Sequence, residues 1–270
     1  MPIWSRLRAV QLALVLALAG SSAAQALSPA DYGCDRPINF AYYEFGALFH
    51  AGVGIDVDVI AELERRTGCV FETRVMPRAQ IWKDLEAGLL DGTNSGIRTE
   101  ARRNFAYFIP YLGWKNILVT RLDVAVSIPS IDDIIADKTV KIGVVKGYIH
   151  GPFYDFRLKI ADGENRVIRY PDQDSIYRAL QAGEVQAIIS PAINYGFYLP
   201  KPEDQARFVL LDVSPAPPIP HNLIFSIKRF SDAQINSWAR LFETLRLDGT
   251  LLRIYQAHLP PSVASGILRY

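Results

Sequence analysis

The sequence is poor in the residues from which most active sites are built. It has two cysteines and four histidines in 270 residues. Its charges nearly cancel, with 29 lysines and arginines against 28 acidic side chains. A chain this close to neutral offers no basic field to nucleic acid or to an anionic membrane surface. The histidines, His50, His150, His221 and His258, are scattered. None stands at metal-ligand spacing from another histidine, a cysteine or an acidic residue, so neither a metal nor a cofactor is expected. "GVGIDV" lacks the third glycine of a dinucleotide fingerprint, and "GTNSG" has its serine misplaced for a nucleophile elbow. No Ser/His/Asp or Cys/His constellation emerges. There is no internal repeat, which excludes a solenoid, and no low-complexity tract, which excludes wholesale disorder. Beyond the N-terminus no apolar run is long enough to cross a bilayer.

What is present begins with Arg6 and Arg8, an apolar run from Val10 to Ala19, and small residues ending in Ala24-Gln25-Ala26. A charged start, a short apolar core and an A-x-A site predict a secretory signal peptide over residues 1–26 and a periplasmic location. The alternative, a membrane anchor, needs a longer run. Cys34 follows Asp31-Tyr32-Gly33, which is not a lipid-acylation site. In an exported chain, two cysteines predict one disulfide. Cys34 and Cys69 each precede a strand-like run, "INFAYY" and "VFETRV", and neighbouring parallel strands would bring those starts together. Two free buried thiols are the alternative.

Half of the residues are apolar, enough for one large domain or two ordinary lobes. Strand and helix patterns alternate. Strands are predicted over 37–45, 69–76, 93–97 and 116–121, and helices over 54–68, 78–92, 99–108 and 130–138. The rhythm then restarts, with strands over 140–145, 165–170, 185–190 and 206–213 and helices over 151–160 and 174–183. "PAPPIP" breaks it before a strand over 222–228 and a last helix over 232–259, interrupted near Gly249. The fold class is α/β, with two lobes of mostly parallel sheet covered by helices. Lobe 2, residues 123–221, is inserted into lobe 1, residues 27–122 plus 222–270. Two crossovers make a hinge, and the crevice at the strand ends is the expected ligand site.

Five segments, in order, resemble the bacterial extracellular solute-binding proteins of the polar amino-acid type, the periplasmic receptors of ABC importers. They are "GIDVDVIAELERRTG", "LEAGLLDG", "RTEARRNFAYFIPY", "VKIGVVKGYIHGPF" and "YRALQAGEVQAIIS". The resemblance covers nearly the whole chain after residue 26. It implies a monomer that closes on a small anionic or zwitterionic ligand and passes it to an ABC permease.

The third segment packs three arginines into six residues. The resemblance assigns Arg102 to the ligand carboxylate, with Thr99 capping the helix start, while Arg103 reads as solvated and Arg98 is left open between a solvated face and the site. A guanidinium suits that role because its planar fork matches a carboxylate. By the same resemblance, Asn94, Ser95 and the backbone of Ile97 are ligand contacts, and Tyr43 is a ring contact. In lobe 2 the hydroxyl-rich turn of the family is replaced by Gly147-Tyr148-Ile149-His150. Gln186 replaces the Asp of V-D-A, and Pro191 stands where the family carries the Asp that takes an α-ammonium group. The carboxylate half of the site is kept and the ammonium half is lost, with Glu44 the one substitute charge in view. Alternatives are an enzyme of the same fold, like cyclohexadienyl dehydratase, with Glu44 and His150 as acid and base, or a soluble ligand-sensing module.

Overall fold

The computed structural model describes residues 27–126 and 130–269. The signal-peptide reading falls on residues 1–26, outside that range. A disulfide joins Cys34 to Cys69 with their Cα atoms 5.3 Å apart. It sits where expected, just ahead of β1 (Ile38–Tyr42) and β2 (Phe71–Val75), which run parallel with Ile38 opposite Phe71. Between them α1 (Ile55–Thr67) stops at Gly68, whose left-handed backbone closes the helix end. Next come α2 (Arg78–Ala87), β3 (Gly92–Gly96), the single turn α3 (Glu100–Arg103) and β4 (Ala106–Trp114).

The chain then crosses over into β5 (Asn116–Arg121), α4 (Leu122–Ala125), α5 (Ile131–Ala136), β6 (Ile142–Val145) and α6 (Pro152–Asp162). It continues through β7 (Val167–Tyr170), α7 (Gln173–Ala182), β8 (Ala187–Pro191), α8 (Ala192–Tyr198), α9 (Pro202–Gln205) and β9 (Phe208–Leu211). β10 (Ile219–Ser226) returns to the first lobe, and α10 (Asp232–Leu247), α11 (Thr250–His258) and α12 (Pro261–Gly266) cover it.

The strands form two five-stranded sheets, β2-β1-β3-β10-β4 and β7-β6-β8-β5-β9. In each, three parallel strands are extended by a strand arriving from the other lobe, β10 or β5, which runs antiparallel to its neighbours. This corrects two readings. The strand over 116–121 belongs to the second sheet, not the first, so the crossings fall at Lys115 and in the segment 212–218 rather than at 122 and 221. The segment 106–114 is a strand, not the end of a helix starting at 99. Pro110 argues against a strand, but β4 lies at the sheet edge, where a missing N–H is tolerated.

Each lobe has its own apolar core. The larger packs Phe40, Trp238, Phe225 and Tyr255 around the first sheet. The second sheet buries a layer on each face, around Ile142 and Tyr154 on one side and Ile176, Leu180 and Ile188 on the other.

Candidate functional site

The strand ends of both sheets meet around a small cavity of about 20 Å³, room for about one water molecule. Lobe 1 contributes Tyr43, Phe45, Arg78, Ser95, Ile97 and Arg102. Lobe 2 contributes Asn116, Gly147, Tyr148, Ile149 and Pro191, and His221 closes it from β10. Among the described residues, no Asp or Glu lines it.

Of the three clustered arginines, Arg98 and Arg103 are exposed and Arg103 pairs with Glu100. Arg102 turns inward. Thr99 caps the turn by accepting from the Arg102 backbone N–H at 3.2 Å. The Arg102 guanidinium lies 3.6 Å from the Trp82 ring centre. It donates to the Ile97 carbonyl at 3.1 Å and, across the cleft, to the Gly147 carbonyl at 3.2 Å. Burial, and then the charge of Arg78, pull its pKa down to about 9.

Arg78 escaped the sequence reading. It occupies the first position of α2, directly after Pro77. A cation there opposes the helix dipole, and that misplacement was the available signal. Arg78 is only 4% exposed. It stacks on Tyr43 at 4.2 Å and Trp82 at 4.3 Å, and donates to the Thr93 hydroxyl at 3.3 Å. Gly96 makes room for it, since a Cβ there would stand 2.8 Å from an Arg78 nitrogen and 2.9 Å from Trp82. Among the described residues, neither Arg78 nor Arg102 has an ion-pair partner.

Ser95 lines the cavity in a left-handed conformation, φ 50°, that a non-glycine residue adopts only when held there. The holding groups are visible. Its carbonyl accepts from the Tyr43 hydroxyl at 3.0 Å and from His221 Nδ1 at 3.2 Å, and its hydroxyl bonds with that of Tyr111 at 2.8 Å. Because a carbonyl only accepts, His221 is protonated on Nδ1 and its Nε2 carries a lone pair, which has no partner among the described residues. Burial pushes the His221 pKa down to about 3, so the ring is neutral, stacked 3.7 Å from Trp114. Asn94 joins the same network from behind: its amide donates to Asp56, which also accepts from Tyr111. Burial raises Asp56 to about 7 against those hydrogen bonds. Asn94 is therefore a support behind the wall and not part of the lining.

In lobe 2, Tyr148 packs its ring 5.6 Å from Phe45 and 5.8 Å from Tyr43. Gly147 has φ 86°, and a Cβ on it would meet the Ala79 backbone at 3.0 Å, so only glycine lets this turn approach α2. Pro191, where the resemblance places a carboxylate, is wall. Glu44 is bound to His50 at 3.1 Å and borders a neighbouring cleft of about 200 Å³, which it shares with Tyr43, Arg78, Tyr148 and Asp172. His150 is buried 3.6 Å from Asp155 in a separate hollow of lobe 2. Glu44 and His150 do not share a cavity. Asn116, also missed, donates to the His150 carbonyl at 3.1 Å. Among the described residues, no group of three or more His, Cys, Asp or Glu is placed to hold a metal, and no helix is long and apolar enough to cross a membrane.

The architecture matches solved structures of the two-lobe periplasmic binding protein fold. An ancestral arginine-binding protein bound to arginine is similar, with a TM-score of 0.68 at 21% identity, over 83% of this chain and 99% of that one. The arginine-, lysine-, histidine-binding protein ArtJ from Geobacillus stearothermophilus gives a TM-score of 0.69 at 17% identity, over 83% and 95%. A histidine kinase sensor domain with similarity to periplasmic binding proteins gives 0.65 at 16%, over 83% and 96%. At these identities the likeness is one of fold. A search of curated proteins gives no match. The family model for bacterial extracellular solute-binding proteins, family 3, matches residues 38–261. The chain belongs to the bacterial extracellular solute-binding proteins, family 3.

Proposed function

We propose that this protein captures a small carboxylate-bearing or amino-acid-like ligand between its lobes and hands it unchanged to an ABC permease. It works as a monomer in the periplasm, after removal of residues 1–26. One observation carries the reading: Arg102 is a half-buried cation with no counter-ion among the described residues, bridging carbonyls of both lobes at the cavity. Neutral carbonyls are weak partners for a guanidinium. A ligand carboxylate replaces them with two charge-assisted bonds and is worth more where water is excluded. Lobe closure brings Gly147 and Tyr148 over the bound group. Tyr43, Phe45 and Tyr148 form an aromatic wall for the rest of the ligand.

Glu44 and His150 line different cavities, which speaks for capture over acid–base conversion. Likeness to a kinase sensor domain keeps a signalling role as the second reading, with the same binding step. The test is a thermal-shift screen of amino acids and small carboxylic acids on the mature protein. A ligand at a hundredfold excess over Kd stabilises it by about 2.7 kcal/mol. Mass spectrometry then recovers that ligand unaltered; conversion to a product would overturn capture in favour of catalysis.

A further inference from the structure

Two arginines line the cavity, Arg78 buried and Arg102 half-buried, and among the described residues no carboxylate lines it with them. Glu44 and Asp172 border the adjoining cleft, and one arginine would have served a single carboxylate. The guanidinium groups of Arg78 and Arg102 both lie against the indole of Trp82, at 4.3 Å and 3.6 Å from its ring centre. Two like charges are thus confined within a small molecule's reach of each other. Stacking on Trp82 and Tyr43 offsets part of their desolvation, but it does not cancel charge. Asp56 is committed to Asn94 and Tyr111 and pairs with neither arginine. Pro191 offers the cavity no charge at all.

We propose that Arg78 is a second anion-binding residue and that the ligand is a small dicarboxylate shared between Arg78 and Arg102, with no ammonium group required. The proposal rests on the reading of Arg102 given above. Each guanidinium presents a planar fork matched to one carboxylate. A monoanion leaves one cation buried and unpaired, while a dianion neutralises both. The lone pair of His221 Nε2 adds an acceptor for a ligand hydroxyl or amide N–H without adding charge.

The test is calorimetric titration of the mature protein with matched pairs: succinate against butyrate, and glutamate against glutamine, with inorganic phosphate alongside. The expected result is binding of a dicarboxylate at least about tenfold tighter than its monocarboxylate partner. That tenfold corresponds to about 1.4 kcal/mol. Arg78→Met erases this preference, weakening the dicarboxylate by more than its monocarboxylate partner. Arg78→Lys, which keeps the charge and loses the fork, retains part of the preference. Arg102→Met removes binding of both classes. Equal affinity within each pair in the wild type, phosphate binding above every dicarboxylate, or no binding of any dicarboxylate overturns the proposal, as does a preference that survives Arg78→Met. Should Arg78→Met fail to fold, the wild-type pairs and Arg78→Lys decide. Failure of Arg102→Met to weaken anything instead overturns the functional reading itself, so the two failures are distinct.

Discussion

Replacing Gly147 with alanine separates lobe closure from lobe folding. The added Cβ would stand 3.0 Å from Ala79 Cα, 3.1 Å from Ala79 N and 3.2 Å from Ala79 Cβ. These are mostly backbone atoms in the first turn of α2, which cannot yield as a flexible side-chain tip would. Overpacking of this kind costs about 1–3 kcal/mol. The left-handed φ adds about 1–2 kcal/mol for any residue with a Cβ. That second cost is local to lobe 2 and is present whether the lobes are open or closed, so it cancels from closure. The overpacking term acts only when Gly147 meets α2, and it shifts the closure equilibrium by about 5–150-fold. Gly52 supplies the control. It has the same φ of 86°, and nothing lies within 4 Å of its would-be Cβ. Gly52→Ala is predicted to lower Tm by the backbone cost alone and to leave ligand affinity intact. Gly147→Ala is predicted to lower affinity by one to two orders of magnitude and to expand the protein in small-angle scattering. If the two variants bind with equal affinity, or Gly147→Ala stays as compact as the parent, the closure argument is refuted.

Removing the disulfide with Cys34→Ala and Cys69→Ala frees a loop spanning a sequence separation of 35. The chain-entropy relation gives a loss of about 4 kcal/mol, read by urea unfolding, with binding unchanged in the surviving folded fraction. Two buried groups pull stability against pH in opposite directions. His221 has a folded pKa of about 3, below its ordinary 6.5, so the unfolded chain takes the proton first and stability falls as pH drops through that window. Asp56 has a folded pKa of about 7, above its ordinary 3.8, so stability falls as pH rises from about 4 to 7. His221→Gln is predicted to flatten the acid limb and Asp56→Asn to flatten the rising-pH loss, each measured by urea midpoints from pH 3 to 8.

The parts legible in the sequence were those set by local pattern. The α/β rhythm follows from helices such as α1 and α7 having one apolar face and clear stops at Gly68 and Gly183. The disulfide followed from two strand starts that sit side by side. Arg102 was singled out by the family resemblance, and Thr99 caps the turn that carries it. What failed depended on distant partners. The sheet to which β5 belongs is decided by β8 and β9, far along the chain. β4 hid behind Pro110, which only an edge position excuses. Arg78 read as an ordinary helix opening because its partners, Tyr43, Trp82 and Thr93, come from three different segments. Asn94 and Ser95 are adjacent and both reach the buried Asp56–Tyr111 cluster, yet only Ser95 also lines the cavity.

The most direct measurement is the affinity of Arg102→Ala for whichever small acid the thermal-shift screen returns, taken beside Arg103→Ala. Truncating the buried partner of a carboxylate removes about 2–5 kcal/mol of binding, so Arg102→Ala should weaken Kd by well over tenfold while Arg103→Ala leaves it unchanged. Unaltered affinity in Arg102→Ala, with both variants folded, would contradict the claim that this guanidinium holds the ligand's anionic group.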